Sequence, residues 1–182
     1  MAAEHIFILG GARSGKTMLG ETLALRLGRN PAYLATAEIR DEEMTARIAA
    51  HRAARAGRFE TIEEPLELVD ALRGAATSHD AVLVDCLTLW LSNLMEAGRD
   101  IDTETVRLTE ALRTLDTRII LISNETGLGI VPDNALARAF RDHSGRLNQA
   151  VAAVATHAYF TAAGLPMVLK GKVPDQIQNE VG

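Results

Sequence analysis

The chain has 182 residues, with 19 Lys and Arg against 24 Asp and Glu, a formal net charge of −5. Hydrophobic residues make up 47% and charged residues 24%, an ordinary globular composition, which excludes a disordered, collagen-like or disulfide-stapled chain. The acidity also argues against a general nucleic-acid binder, because neutralising a phosphate backbone takes a basic face, but it leaves room for a local site for a small anion.

In chain order, apolar strand-type runs alternate with helix-type stretches. A strand is expected over 5–9, a helix over 16–27, a strand over 32–36 and a helix over 41–56. A short strand follows at 59–62, then a helix over about 65–76 and an apolar strand at 81–85. Helices are expected over 87–96 and 102–115, and a strand over 118–123. A long helical region over 134–156, broken near Gly145, precedes two short strands at 159–162 and 167–170 that close the sheet. Strands apolar on both faces and alternating with helices indicate a mostly parallel sheet covered on both sides. The reading is one domain over 1–170 and a polar tail over 171–182. The single cysteine, Cys86, permits no intrachain disulfide, in keeping with a reducing compartment. Residues 150–169 are interrupted by Thr156, His157, Gly164 and Pro166 and are too polar for a membrane span. The start lacks the basic-then-apolar pattern of a secretory signal. A cytoplasmic protein is expected.

Gly10-Gly11-Ala12-Arg13-Ser14-Gly15-Lys16-Thr17 fits G-x-x-x-x-G-K-[ST] and lies between an expected strand and an expected helix. Glycines let the backbone curl so that successive N–H groups face phosphate oxygens, and the helix start adds partial positive charge. Lys16 is expected at the β- and γ-phosphates and Thr17 on Mg²⁺. The apolar run ending in Asp85 supplies the acid that such sites place near the metal, unless Asp85 merely caps the next helix. Cys86 reads as a small packing residue. Asp142 to Gly145 matches an Asp-x-x-Gly switch pattern, but no strand precedes it, so it is taken as chance.

The stretch from Arg47 to Arg58 holds four arginines, one histidine and no acid. At about 100° per residue, Arg47, His51 and Arg55 share one helical stripe. Acids at the helix start and arginines at its end also suit a charge-matched solvated helix. The functional alternative is His51 as a nucleophile toward phosphorus, flanked by guanidinium groups that stabilise phosphate charge. Ala35, Thr36 and Ala37, then Glu63, Asp85 and Asn124-Glu125, all stand where strands end. In open α/β sheets that edge carries the ligand crevice.

Taken together, the GGARSGKT loop, YLATA at 33–37, DEEMTARIAAHRAAR at 41–55, VLVDCLTLWLSN at 82–93, SNETGLGIVP at 123–132 and FRDHSGRLNQ at 140–149 resemble the bifunctional adenosylcobinamide kinase / adenosylcobinamide-phosphate guanylyltransferases of cobalamin biosynthesis. The resemblance implies a RecA-like P-loop fold and two reactions. A nucleoside triphosphate (ATP or GTP) phosphorylates the terminal hydroxyl of adenosylcobinamide. GTP then donates GMP to that phosphate through a guanylylated histidine, which corresponds to His51. It further implies nucleotide contacts at Gly10, Gly11, Ala12, Arg13, Ser14, Gly15, Lys16, Thr17, Ala35, Thr36, Ala37, Arg52, Ala53, Ala54, Arg55, Glu63 and Asp85, and a homotrimer. Without the resemblance, the phosphate loop equally fits a kinase of another small metabolite or a nucleotide-dependent switch.

Overall fold

In the computed structural model of the chain, residues 3–38 and 57–172 are described. The elements are β1 (Ile6–Gly10), α1 (Lys16–Leu27), β2 (Pro31–Ala35), β3 (Glu60–Glu63), α2 (Leu68–Ala75), β4 (Ala81–Asp85), α3 (Leu87–Glu96), α4 (Ile101–Thr114), β5 (Arg118–Asn124), α5 (Ala135–Val154), β6 (His157–Ala162) and β7 (Leu165–Lys170). The expected helix over 41–56 and most of the expected tail lie outside the described residues.

The seven strands form one sheet in the order β3-β2-β4-β5-β1-β6-β7. Every pairing is parallel except β6 with β7, which is antiparallel. One strand, β5, stands between the strand that leads into the phosphate loop and the strand that ends in Asp85. This is the RecA-like arrangement.

The central strands are apolar on both faces because both faces are covered. Alternation with period two divides them. Phe7, Leu34, Val82, Val84, Ile119 and Leu121 face a core built with α2, α3, α4 and α5. Ile6, Ile8, Tyr33, Leu83, Ile120 and Ile122 face the opposite side, where Leu19, Leu23 and Ala24 of α1 pack on them. α1 therefore docks directly beneath the strands whose carboxyl ends carry the acid and the loop.

Most boundaries agree with the sequence reading to within a few residues. The break expected at Gly145 is absent: α5 runs unbroken from Ala135 to Val154. A glycine inside a helix costs about 1 kcal/mol relative to alanine. Here burial of Leu147 and Val151 on the same helix outweighs it. Asp142 to Gly145 is thus helix interior and no switch loop. The start of α4 is set by Asp100, whose Oδ1 accepts the Thr103 N–H at 2.6 Å, and α5 is capped likewise by Asn134 Oδ1 from Ala137 N–H at 2.7 Å. Each cap satisfies a backbone donor that the helix start leaves open.

His5, just before β1, is 4% exposed. Its Nε2–H donates to the Leu112 carbonyl at 2.6 Å, and its Nδ1 accepts the Ile119 N–H at 3.3 Å. Acceptance at Nδ1 requires the neutral ring, because imidazolium has no free ring acceptor. Burial lowers the His5 pKa below the usual imidazole value, with the Leu112 bond opposing it. Because the folded-state pKa lies below the unfolded one, stability is fully present above about pH 6.5 and is lost as pH falls below it, where the unfolded chain takes up the proton more readily. Denaturant unfolding measured from pH 7.5 to 5.5 should show that decline. His5→Gln should start about 1–3 kcal/mol less stable, for the lost buried bonds, and change less with pH. An equally steep decline in His5→Gln would assign the pH dependence to other groups.

Candidate functional site

The site forms at the carboxyl edge of the sheet, where β1, β2, β3, β4 and β5 all end. β1 runs into the glycine loop, and α1 begins at Lys16. Two glycines make this turn possible. Gly15 adopts φ +98, the left-handed region. At Gly10 a Cβ would stand 2.5 Å from the Thr161 carbonyl oxygen and 2.8 Å from Ser14 Oγ, so a side chain there would push the loop off β6.

The loop is braced from β6 and the turn after it. Ser14 Oγ and Thr161 Oγ1 are hydrogen-bonded at 2.8 Å, and the Gly164 N–H donates to the Ser14 carbonyl at 2.9 Å. On the other side, the Glu125 N–H donates to the Gly10 carbonyl at 2.9 Å.

A crevice of about 670 Å³ opens above the loop. Of the residues expected there, Ala12, Arg13, Ser14, Gly15, Lys16, Thr17, Ala35, Ala37, Glu63 and Asp85 line it. So do Tyr33, Cys86, Leu89 and Asn124. Gly10, Gly11 and Thr36 are not among the lining residues. Thr36 is fully buried. Its hydroxyl donates to the Cys86 carbonyl at 2.7 Å and accepts the Cys86 N–H at 2.9 Å. This clamps the end of β2 to the end of β4, so Thr36 shapes the crevice without facing it. His51 and Arg52, Ala53, Ala54 and Arg55 lie outside the described residues.

The centre of the crevice is the Asp85 carboxylate. Its Oδ2 accepts the Thr17 hydroxyl at 3.0 Å and the Tyr33 hydroxyl at 2.6 Å. Tyr33 is buried, and its ring meets Phe59 edge to face with centroids 5.9 Å apart. The alternative reading of Asp85 as a helix cap is set aside: α3 has no side-chain cap bond, and its N-cap position is Cys86. Lys16 is 6% exposed and donates to the Gly11 carbonyl of its own loop. Burial lowers its pKa below the usual lysine value, with the fields of Cys86 and Asp85 opposing the shift. An ammonium with one carbonyl partner in a buried setting strongly favours an incoming anion.

Cys86 is buried, and its thiol is pushed up to about 11 by burial and by neighbouring Asp85. It is a packing residue and stays a neutral thiol near pH 7.

Several supporting residues went unnoticed in the sequence. Tyr33 belongs to an apolar strand and to the YLATA stretch, and neither marks its hydroxyl for a role. Thr88, in the first turn of α3, accepts the Asn124 N–H at 2.7 Å and fixes the end of β5. Asn93 donates to the Thr36 and Pro65 carbonyls at 2.8 and 3.0 Å, holding the segments after β2 and β3 to α3. Their signal is a polar side chain at an otherwise core-facing helical position.

The chain is similar to known proteins. The profile described as cobinamide kinase / cobinamide phosphate guanyltransferase matches residues 6–169. The chain is 51% identical to the bifunctional adenosylcobalamin biosynthesis protein CobP of Pseudomonas aeruginosa, an alignment covering 91% of this chain and 96% of that one. It is 36% identical to CobU of Salmonella typhimurium, covering 91% and 99%. Among solved structures it is similar in fold to the flagellar accessory protein FlaH of Methanocaldococcus jannaschii, with TM-score 0.55 and 15% identity over 93% of this chain and 79% of that chain. A KaiC-like protein of Pyrococcus horikoshii gives TM-score 0.50 and 16% identity over 86% and 70%. Those two likenesses concern the fold. With the phosphate loop, the crevice acid and a match along nearly its whole length, the chain belongs to the cobinamide kinase / cobinamide phosphate guanyltransferase family.

Proposed function

We propose that the chain carries out two consecutive transfers on a corrinoid: phosphorylation of adenosylcobinamide, then transfer of GMP from GTP to the product, giving adenosylcobinamide-GDP and pyrophosphate. Family membership supports the pair of activities. The observation that carries the mechanism is the crevice lined by Lys16, Thr17 and Asp85 together with the glycine loop.

In the first transfer the substrate hydroxyl attacks the γ-phosphorus of ATP or GTP and loses its proton. The bond to the β–γ bridging oxygen breaks, and the nucleoside diphosphate leaves. The protein's part is positioning and charge neutralisation. Lys16 exchanges its loop carbonyl for phosphate oxygens, and the loop N–H groups hold the rest. Thr17 and Asp85 offer hard oxygen donors within hydrogen-bond distance of each other, which fits Mg²⁺ held partly by protein and partly by phosphates. When bound, Mg²⁺ neutralises charge on the β- and γ-phosphates. Among the described residues no group of three or more His, Cys, Asp or Glu forms a separate metal centre.

In the second transfer a neutral His51 nitrogen attacks the α-phosphorus of GTP, and pyrophosphate leaves. A phosphate oxygen of the acceptor then attacks the same phosphorus, and the P–N bond breaks. Arg52 and Arg55 balance the charge that develops. Ala35, Ala37 and Glu63, at the far side of the crevice, are assigned to the nucleoside end. The donors are cytoplasmic metabolites, so the enzyme is placed in the cytoplasm. A homotrimer is inferred from the resemblance. Apolar side chains exposed along β7, at the sheet edge, are surface for such an assembly: Leu165 and Leu169 are each 60% exposed.

GTP labelled at the α-phosphorus should leave an acid-labile, alkali-stable label on the protein, absent from His51→Ala. GMP transfer that persists without any labelled protein would exclude the covalent route. Lys16→Ala should reduce both transfers on the order of a hundredfold, as loss of a charge-stabilising donor does. His51→Ala should abolish GMP transfer and keep phosphorylation; loss of both from a folded protein would merge the two roles. Tyr33→Phe removes a hydrogen bond to a charged group, about 1.5–3 kcal/mol. It should raise the Mg²⁺ concentration for half-maximal phosphorylation by about tenfold or more. An unchanged magnesium requirement would show that the Tyr33 bond does not prepare Asp85 for the metal.

A further inference from the structure

We propose that a second cavity, one helical turn along α3 from the nucleotide crevice, receives the corrin ring of the acceptor. This rests on the reading of the acceptor as a corrinoid and adds where the ring sits. The cavity measures about 830 Å³, within the range of roughly 300–1,000 Å³ typical of small-molecule sites. Ser92 and Met95 of α3 form one wall. Thr126 and Pro132, in the segment between β5 and α5, form a second, and Ala137 and Phe140 of α5 form the third.

The cavity begins where the crevice ends. Leu89 lines the crevice and Ser92 the cavity, three residues apart on one helix and so about 4.5 Å along its axis. Asn124 lines the crevice and Thr126 the cavity. A substrate seated in the second space can thus extend one arm to the phosphates. The lining suits a corrin. Met95 and Phe140 pack against the sheet core and give an apolar floor. Ser92 and Thr126 supply hydroxyls for the amides around a methyl-bearing ring. A small alcohol would leave most of this volume empty.

Two further observations point to a ligand. Asn148 is 7% exposed, and its Oδ1 has no hydrogen-bond partner among the described residues. Its Nδ2 donates to the Asn124 carbonyl at 3.4 Å, and Asn124 itself lines the crevice. Ala137, Arg141, Ser144 and Asn148 recur at helical spacing, one stripe of α5 running from the cavity to that junction. A buried acceptor without a donor needs an explanation, and this one lies on the α5 stripe that continues from the cavity wall. The apolar rim is also exposed: Leu136, which lines the cavity, is 71% exposed, and Leu128 and Ile130 on the preceding segment are 82% and 98% exposed. The wall is nevertheless fixed, since Arg138 Nη1 donates to the Pro132 and Asp133 carbonyls at 3.0 and 2.6 Å.

The nucleotide site leaves SNETGLGIVP and FRDHSGRLNQ largely unused; both contribute walls here.

The test is equilibrium binding of adenosylcobinamide to the full chain, followed by the corrinoid's visible absorbance, with GTP binding and subunit number measured in parallel. Ala137→Trp and Ser92→Trp fill the space from opposite walls. Each should weaken corrinoid binding at least about tenfold and leave GTP affinity unchanged. Leu136→Gln, at an exposed position that the fold does not depend on, should weaken it several-fold and keeps the test informative if a tryptophan variant misfolds. Unchanged corrinoid affinity in all three variants would place the ring elsewhere and leave the two transfers standing. A changed subunit number with unchanged corrinoid affinity would assign the cavity to a second copy of the chain and overturn the proposal. Failure of the unaltered chain to bind adenosylcobinamide would overturn the functional reading as well.

Discussion

One carboxylate organises the crevice. Asp85 ends β4, Thr17 opens α1 and Tyr33 sits inside β2, yet the two hydroxyls meet on a single oxygen of Asp85. The acid therefore has a fixed orientation before any nucleotide arrives, with its other oxygen outside that pair of bonds. Electrostatic catalysis depends on such preorganisation, because charged groups that must rearrange during the reaction give back part of what they stabilise. The β5 insertion between β1 and β4 sets the separation of loop and acid, and α1 beneath the sheet holds both at the same height.

Around this centre the sheet edge is joined by short polar side chains. Thr36 clamps β2 to β4, Thr88 holds the end of β5, and Ser14 and Thr161 link the loop to β6. Each satisfies backbone or hydroxyl groups where the strands stop pairing with one another, a place where buried polar groups would otherwise be left open. The same residues that complete the fold thus set the walls of the site. Asn148 Oδ1 is the exception among them.

The general plan was legible because it rests on local patterns. Apolar runs such as Ala81–Asp85 and Arg118–Asn124, separated by helix-length segments, leave few alternatives to a covered parallel sheet, and the glycine loop marks which edge binds phosphate. What the sequence could not show was lateral. Nothing in YLATA says that the Tyr33 hydroxyl reaches across to β4, or that Thr36 turns away from the crevice while Ala35 and Ala37 face it. Gly145 misled for a related reason: its local preference is weak, and the decision was made by distant core residues packing on α5. The second cavity combines three separated segments, so no single stretch announces it. The role of His51 rests on composition, helical spacing in the sequence and resemblance.

The brace between the phosphate loop and the turn after β6 makes the glycine motif dependent on the last hairpin among the described residues. Gly164 touches Ser14 through its N–H, and a Cβ on Gly15 would come within 3.0 Å of the Gly164 Cα. A fragment ending before that turn would still spell out the whole glycine motif and yet lack the scaffold that gives it a shape. During synthesis the phosphate loop can take its final form only after the β6–β7 turn has emerged, far downstream of the motif itself.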